Sequence, residues 1–208
     1  MNCLQLMKGH DIECLEYFNK YYQNIVLVNR DDLESFKILA DGENNRITFK
    51  LKPGKTGYLF RGSEKASSLR ASFSRTEKNN RAYYKHLCQI PVVGVKEDTK
   101  TLLRQLDNSN CFSAIQFKDG TVEIFGFNYG LKTSPYTFEA QGFGGAEVQM
   151  ESKYEELDPP YVYFVSSKAE DIGGLDTPEN HFNNLFANLP EVYGGDFNND
   201  FNNDFYVD

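Results

Sequence analysis

Several residue patterns in this 208-residue chain are of types that carry chemistry elsewhere, and each fails on spacing. Gly54-Lys55-Thr56 ends like a phosphate-binding loop, but that pattern needs a glycine where Phe49 stands. Pro53 also removes a backbone donor from the cradle. A plain turn fits better. His10, His86 and His181 show neither HxH nor HExxH spacing, so neither a zinc site nor a histidine-based triad is signalled. His86 reads as an ordinary, partly buried side chain, and His181 as polar. No GxSxG elbow occurs. The acid pairs Asp31-Asp32 and Glu155-Glu156 sit beside turns, where solvated carboxylates are expected. Cys3, Cys14, Cys88 and Cys111 form no CxxC and no metal-ligand spacing, which makes them free thiols of the interior. Catalytic, cofactor-binding and metal-binding residues are therefore none, and the chain reads as a non-enzyme.

A ligand platform is a second possibility. Tyr129, Tyr136 and Phe143 border a loop over residues 128–146 and could stack on a carbohydrate. Core or interface aromatics are the competing account of the same rings. A hydrolase would need a nucleophile or converged acids beside His86.

Charge divides the chain in two. Of 30 acids and 22 bases, nine acids and one base fall in residues 166–208, which leaves 21 of each in residues 1–165. A neutral body with an acidic tail offers phosphates little to bind. No run of apolar residues is long enough for a membrane-spanning helix. The first residues lack the apolar stretch of a secretory signal, which points to synthesis in a reducing cytoplasm.

The elements that would position any site are mostly strands. Seventeen Phe and thirteen Tyr favour pleated, half-buried surfaces. Strands are expected at Ile25–Val28, Phe36–Leu39, Ile47–Leu51 and Tyr58–Phe60, with turns at 29–32, 41–45 and 53–57. Ala71 and Phe73 alternate with Arg70, Ser72 and Ser74, the period of a half-buried strand. After a turn at 77–80 comes a long strand from Ala82 to Val93, whose Pro91 suits an edge or bulge. Leu102, Leu103 and Leu106 follow the acidic opening Glu97-Asp98 at helical spacing, giving one short packed helix over 97–107.

Asp119-Gly120 joins Cys111–Phe117 to Thr121–Phe127 as a hairpin of type I′, with Phe117 opposite Val122 and Ile115 opposite Ile124. Residues 128–134 read as a loop. Further strands are expected at Tyr136–Ala140, Ala146–Ser152 and Tyr161–Val165. The fold class is mainly β, an antiparallel sandwich or barrel with about eight to ten strands.

Beyond residue 165 the material changes, so 1–165 forms the β-rich domain and 166–208 a C-terminal arm. Thr177-Pro178-Glu179 opens a short helix near 178–189, in which Phe182, Leu185, Phe186 and Leu189 make one apolar stripe. The repeat Asp196-Phe197-Asn198-Asn199, Asp200-Phe201-Asn202-Asn203, Asp204-Phe205 then places a ring at every fourth position. It lacks the DxDxDG spacing of a calcium loop. Anchor rings buried against a neighbouring subunit explain it better. The partner-binding residues are then Phe182, Leu185, Phe186, Leu189, Phe197, Phe201 and Phe205.

The order of these features resembles small virion proteins of phages and prophages that infect Bacteroidetes, including the crAss-like group, and more loosely the phage tail-tube fold. The resemblance runs from about residue 9 to 164. It is carried by Ile25-Val26-Leu27-Val28-Asn29-Arg30-Asp31-Asp32-Leu33 and by Ile47-Thr48-Phe49-Lys50-Leu51-Lys52-Pro53-Gly54-Lys55-Thr56-Gly57-Tyr58. Further along it rests on a polar strand before Tyr83, the helix near Leu102 and Phe117-Lys118-Asp119-Gly120-Thr121-Val122. Phe125-Gly126-Phe127-Asn128-Tyr129-Gly130-Leu131, a Gly-x-x-x-Gly turn, and Pro159-Pro160-Tyr161-Val162-Tyr163 complete it. The resemblance implies a ring-forming tail or neck subunit of the virion, made in the host cytoplasm. Its partners would be copies of itself and other tail or portal-proximal proteins. Genome DNA would pass nearby without specific binding, and no membrane would be involved. The arm departs from the family, and its role is read from its residues alone.

Overall fold

The computed structural model describes residues 22–40, 45–61, 69–117, 120–141, 144–164 and Phe182. Among those residues it contains one mixed, open sheet of 11 strands, the α-helix of residues 97–107 and a short 3-10 turn at 30–32. The mainly-β expectation holds, with one correction: the pairing is not purely antiparallel.

The sheet has a trunk and two limbs. Its trunk is β1 (Tyr22–Asn29) between β4 (Tyr58–Arg61) and β7 (Cys111–Phe117), all antiparallel. On the far side of β7 runs a strand broken in two. Its first piece, β8 (Val122–Phe125), pairs Gln116 with Val122 and Ser113 with Phe125; its second, β9 (Leu131–Thr133), pairs Leu131 with Cys111. Extra residues between the two pieces shift the register, and the sheet forks there.

From β8 one limb continues through β11 (Tyr161–Tyr163) and β3 (Asn45–Leu51) to β2 (Leu33–Ala40). The β11–β3 pairing is parallel, and this makes the sheet mixed. From β9 the other limb continues through β10 (Gly145–Ser152) and β6 (Arg81–Val93) to β5 (Arg70–Lys78).

Each limb packs against its own face of the trunk. On one face Ile25, Leu27 and Ile115 join Cys88, Ile90 and Val92 of β6, Val148 and Met150 of β10, and Leu102, Leu103 and Leu106 of α1 (Glu97–Asp107). On the other face Val26, Val28, Phe112 and Ala114 join Ile47 and Phe49 of β3, and Tyr161 and Tyr163 of β11. The unbroken apolar run Ile25-Val26-Leu27-Val28 follows directly: a strand covered on both sides has no polar face to alternate with.

The hairpin of β7 and β8 differs from expectation by one residue. Gly120 N–H donates to the Phe117 carbonyl at 3.1 Å and Phe117 N–H to the Thr121 carbonyl at 2.9 Å, so the connection spans three residues. Gly120 has φ +82°, the left-handed position that ends such a loop. Ala114, not Ile115, therefore faces Ile124. The slip sends Ile124 and Val122 to one core and Ile115 with Phe125 to the other.

Three further corrections follow. Residues 131–133, expected as loop, form β9, whereas among 136–140 only an isolated bridge at Glu139 is present. β5 is exposed almost throughout rather than half-buried. The expected helix 97–107 is found at those bounds. Pro91 lies beyond the last β5 partner of β6, Gln89, where β6 has a neighbour on one side only.

Candidate functional site

Among the described residues a group of buried polar side chains, His86, Ser152 and Glu156, lies at the fork. Gly126 (φ +69°) and Gly130 (φ +82°) bracket the excursion between β8 and β9, and Gly130 N–H closes it on the Gly126 carbonyl at 2.9 Å. These angles suit glycine, because a Cβ there crowds the backbone. Space is short as well: a Cβ on Gly126 would sit 2.5 Å from the Leu131 side chain. Inside the excursion Phe127 points into the second core, edge-on to Phe112 (5.2 Å), Tyr161 (6.1 Å) and Phe36 (5.1 Å).

β6 supplies His86, which is 1% exposed. Its Nδ1 accepts the N–H of Gly126 at 2.9 Å, and its Nε2 lies 3.1 Å from the Asp158 carbonyl. This arrangement fixes a neutral ring with the proton on Nε2. Burial pushes the imidazole down to about 4, against the opposing pull of the Asp158 backbone and charge. Phe125 and Phe73 close its faces at 5.7 and 6.5 Å. Its own N–H donates to Ser152 Oγ at 3.0 Å.

Segment 153–158 completes the cluster. Glu156 exchanges two backbone bonds with Tyr84, at 2.7 and 2.8 Å, and its side chain is fully buried. Among the described residues neither carboxylate oxygen meets full hydrogen-bond geometry, although the Asn128 amide and the backbone of Asn128 and Tyr129 lie near enough to favour its charge. Burial raises this carboxyl above its usual range, opposed by the Asn128 amide, the backbone of Tyr129 and Asn128, and the Arg30 charge. Arg30 donates to the Asn128 carbonyl. Tyr161 Oη donates to Asp158 at 2.9 Å and accepts from Asn128 at 3.2 Å. Burial, reinforced by Asp158, pushes that phenol up to about 12.

Chemically this cluster is a clamp. Both imidazole nitrogens are engaged by backbone groups, and no nucleophile is bonded to either. Among the described residues no three His, Cys, Asp or Glu side chains converge to hold a metal. The expectation of solvated acids holds at Asp31, which is exposed, and fails at Glu156 and at Asp32, whose carboxylate is mostly covered, accepts from the Asn29 amide at 3.2 Å and meets Lys55 at 3.3 Å. Cys88 and Cys111 are buried free thiols, as expected; burial pushes Cys88 up to about 12. Cys3 and Cys14 lie outside the described residues.

Of the aromatic residues considered for a platform, Tyr129 and Tyr136 make separate contacts. Tyr129 packs edge-on to Tyr154 at 5.7 Å, whereas Tyr136 lies against the first core with its Oη on Asp107 at 3.0 Å. Phe143 lies outside the described residues. Tyr154 carries no local sequence signal beyond its place beside the acid pair Glu155-Glu156.

Of the seven proposed anchor residues, only Phe182 is described. It has helical backbone, is 3% exposed, and packs in the second core with β1, β3 and β11. In this fold the ring of Phe182 is covered by its own chain. Leu185, Phe186, Leu189, Phe197, Phe201 and Phe205 lie outside the described residues, as does the 165/166 boundary.

Among the described residues no helix is long and apolar enough to cross a membrane. In comparisons with known proteins, no family model, no curated protein and no solved structure matches this chain.

Proposed function

We propose that this chain is a non-catalytic structural subunit of a phage virion, which forms a ring in the tail or neck by joining copies of itself around the DNA channel. The virion assignment rests on the ordered motifs described above. Support for self-assembly comes from one feature of the fold: both limbs end in a strand with a single neighbour among the described residues, β2 at one end and β5 at the other. A strand at the end of a sheet can offer backbone donors and acceptors to another chain. Two different edges on one molecule allow head-to-tail contacts, which close into rings when the rotation permits. The neutral charge balance of residues 1–165 lets copies approach without net repulsion. Other tail or portal-proximal proteins would bind the assembled ring, and DNA would pass without specific contacts.

Sedimentation velocity over a wide concentration range tests this. One discrete oligomer should replace the monomer as concentration rises. A single monomeric boundary at every concentration would remove the proposal.

A second reading, a glycan-binding module of a phage particle, draws on the pair Tyr129 and Tyr154, 40% and 63% exposed. Binding on a glycan array that Tyr154→Ala abolishes would favour it; an array with no binder would end it.

A further inference from the structure

Asp158-Pro159 is the one Asp–Pro bond of the sequence. Such a bond is chemically weak for two reasons. The aspartate carboxylate reaches its own carbonyl carbon through a five-membered ring, and an attack within one residue avoids the entropy of bringing two molecules together. The prolyl nitrogen belongs to a tertiary amide, and it leaves readily once it takes a proton.

The fork grips this bond from two sides. His86 Nδ1 accepts the Gly126 N–H at 2.9 Å, so the ring proton sits on Nε2, which lies 3.1 Å from the Asp158 carbonyl oxygen. That N–H, on a ring 1% exposed, is aimed where negative charge grows when the carbonyl carbon is attacked. On the other side Tyr161 Oη donates to Asp158 Oδ2 at 2.9 Å and is itself held by the Asn128 amide at 3.2 Å. Asp158 and Pro159 are half-buried, within reach of water, and Pro160 is buried.

We propose that the Asp158–Pro159 peptide bond is a self-cleavage site, at which the Asp158 carboxylate cuts its own backbone. Oδ1 attacks the Asp158 carbonyl carbon and forms a cyclic anhydride. The C–N electron pair passes to the Pro159 nitrogen, which takes a proton from solvent. Water then opens the anhydride and returns the proton, leaving Asp158 as a C-terminus with two carboxylates and Pro159 as a free N-terminus. One water is consumed in sum, and the His86 proton stays on Nε2 throughout. Tyr161 is a positioning residue that holds the carboxylate. The cut happens once per chain, so it goes beyond the structural role proposed above without making the protein an enzyme. β11 remains paired with β8 and β3 after it, and Tyr161 and Tyr163 remain in the second core, so the product is one body of two chains.

Intact-mass spectrometry tests this on the purified full-length protein. The chain is incubated in mildly acidic buffer, at a pH where circular dichroism shows the fold intact, beside the same chain in concentrated urea. The native chain should split between residues 158 and 159 at least tenfold faster than the unfolded one, the scale of one aimed donor. The two pieces should co-elute in native buffer and part in urea. Asp158→Ala should abolish the cut, and Tyr161→Phe should slow it severalfold while its circular dichroism stays native. Equal rates in native and unfolded chains would leave only the ordinary lability of an Asp–Pro bond and would overturn the proposal. So would a native chain that stays intact, or a cut that persists in Asp158→Ala.

Discussion

His86 Nδ1 accepts the N–H of Gly126 at 2.9 Å, and this single bond ties β6, deep in one limb, to the point where the broken strand leaves the other. The ring is held neutral there, because a proton on Nδ1 would set donor against donor. Acid should therefore loosen the fork.

The sign of that effect follows from the two protonation states. Unfolded, the ring titrates near 6.5; folded, at about 4. Between those values the unfolded chain binds more protons, so stability is full above pH 6.5 and is lost as pH falls towards 4. The loss amounts to about 3 kcal/mol. Urea unfolding at pH 7 and pH 4.5 should show it, with His86→Gln flattening this part of the profile. An unchanged slope in the variant would assign the acid sensitivity elsewhere.

Glu156 should act in the opposite sense. Its folded carboxyl titrates above the ordinary 4.5, so the stability it contributes is present at low pH and is lost as pH rises through that value towards the folded one. Glu156→Gln keeps the shape without the charge. At pH 8 the variant should unfold at equal or higher urea than wild type. A clear loss would mean that the carboxylate, rather than its volume, supports the fork.

The glycines separate strain from collision. A Cβ on Gly145 would meet the Val92 carbonyl at 2.3 Å and Val93 Cα at 2.8 Å, both backbone atoms that cannot swing aside. A Cβ on Gly130 would meet the Asn110 side chain at 2.3 Å, which can move, leaving mainly the cost of positive φ. Gly145→Ala should destabilise by about 3 kcal/mol and Gly130→Ala by about 1–2 kcal/mol. Thermal melts would reveal the order, and a reversed order would contradict the packing of β10 on β6.

Phe182 links the arm to the body. Its burial within the second core belongs to one chain, so Phe182→Ala should lower the stability of dilute monomer by about 3 kcal/mol. A loss seen only at assembling concentrations would place that ring on a neighbouring copy.

How far the sequence reached can be seen at particular residues. Glu97-Asp98 and the leucine spacing mark the bounds of α1, because a short amphipathic helix is a local object. Ile25–Val28 was legible as a strand, but not that its alternate residues serve two cores. The β7–β8 register slipped because Asp119-Gly120 suits both two- and three-residue loops, and the choice lies in one backbone angle. Glu156 was misread since its burial depends on pairing with Tyr84, far away in sequence. The role of His86 was hidden for the same reason: its partners Gly126 and Asp158 come from segments brought together only by the fork.

Electron-microscope images of the purified protein at assembling concentration test the central claim most directly. Closed rings of one diameter with an open centre are expected. Fields of single compact particles, unchanged in size at every concentration, would contradict the account.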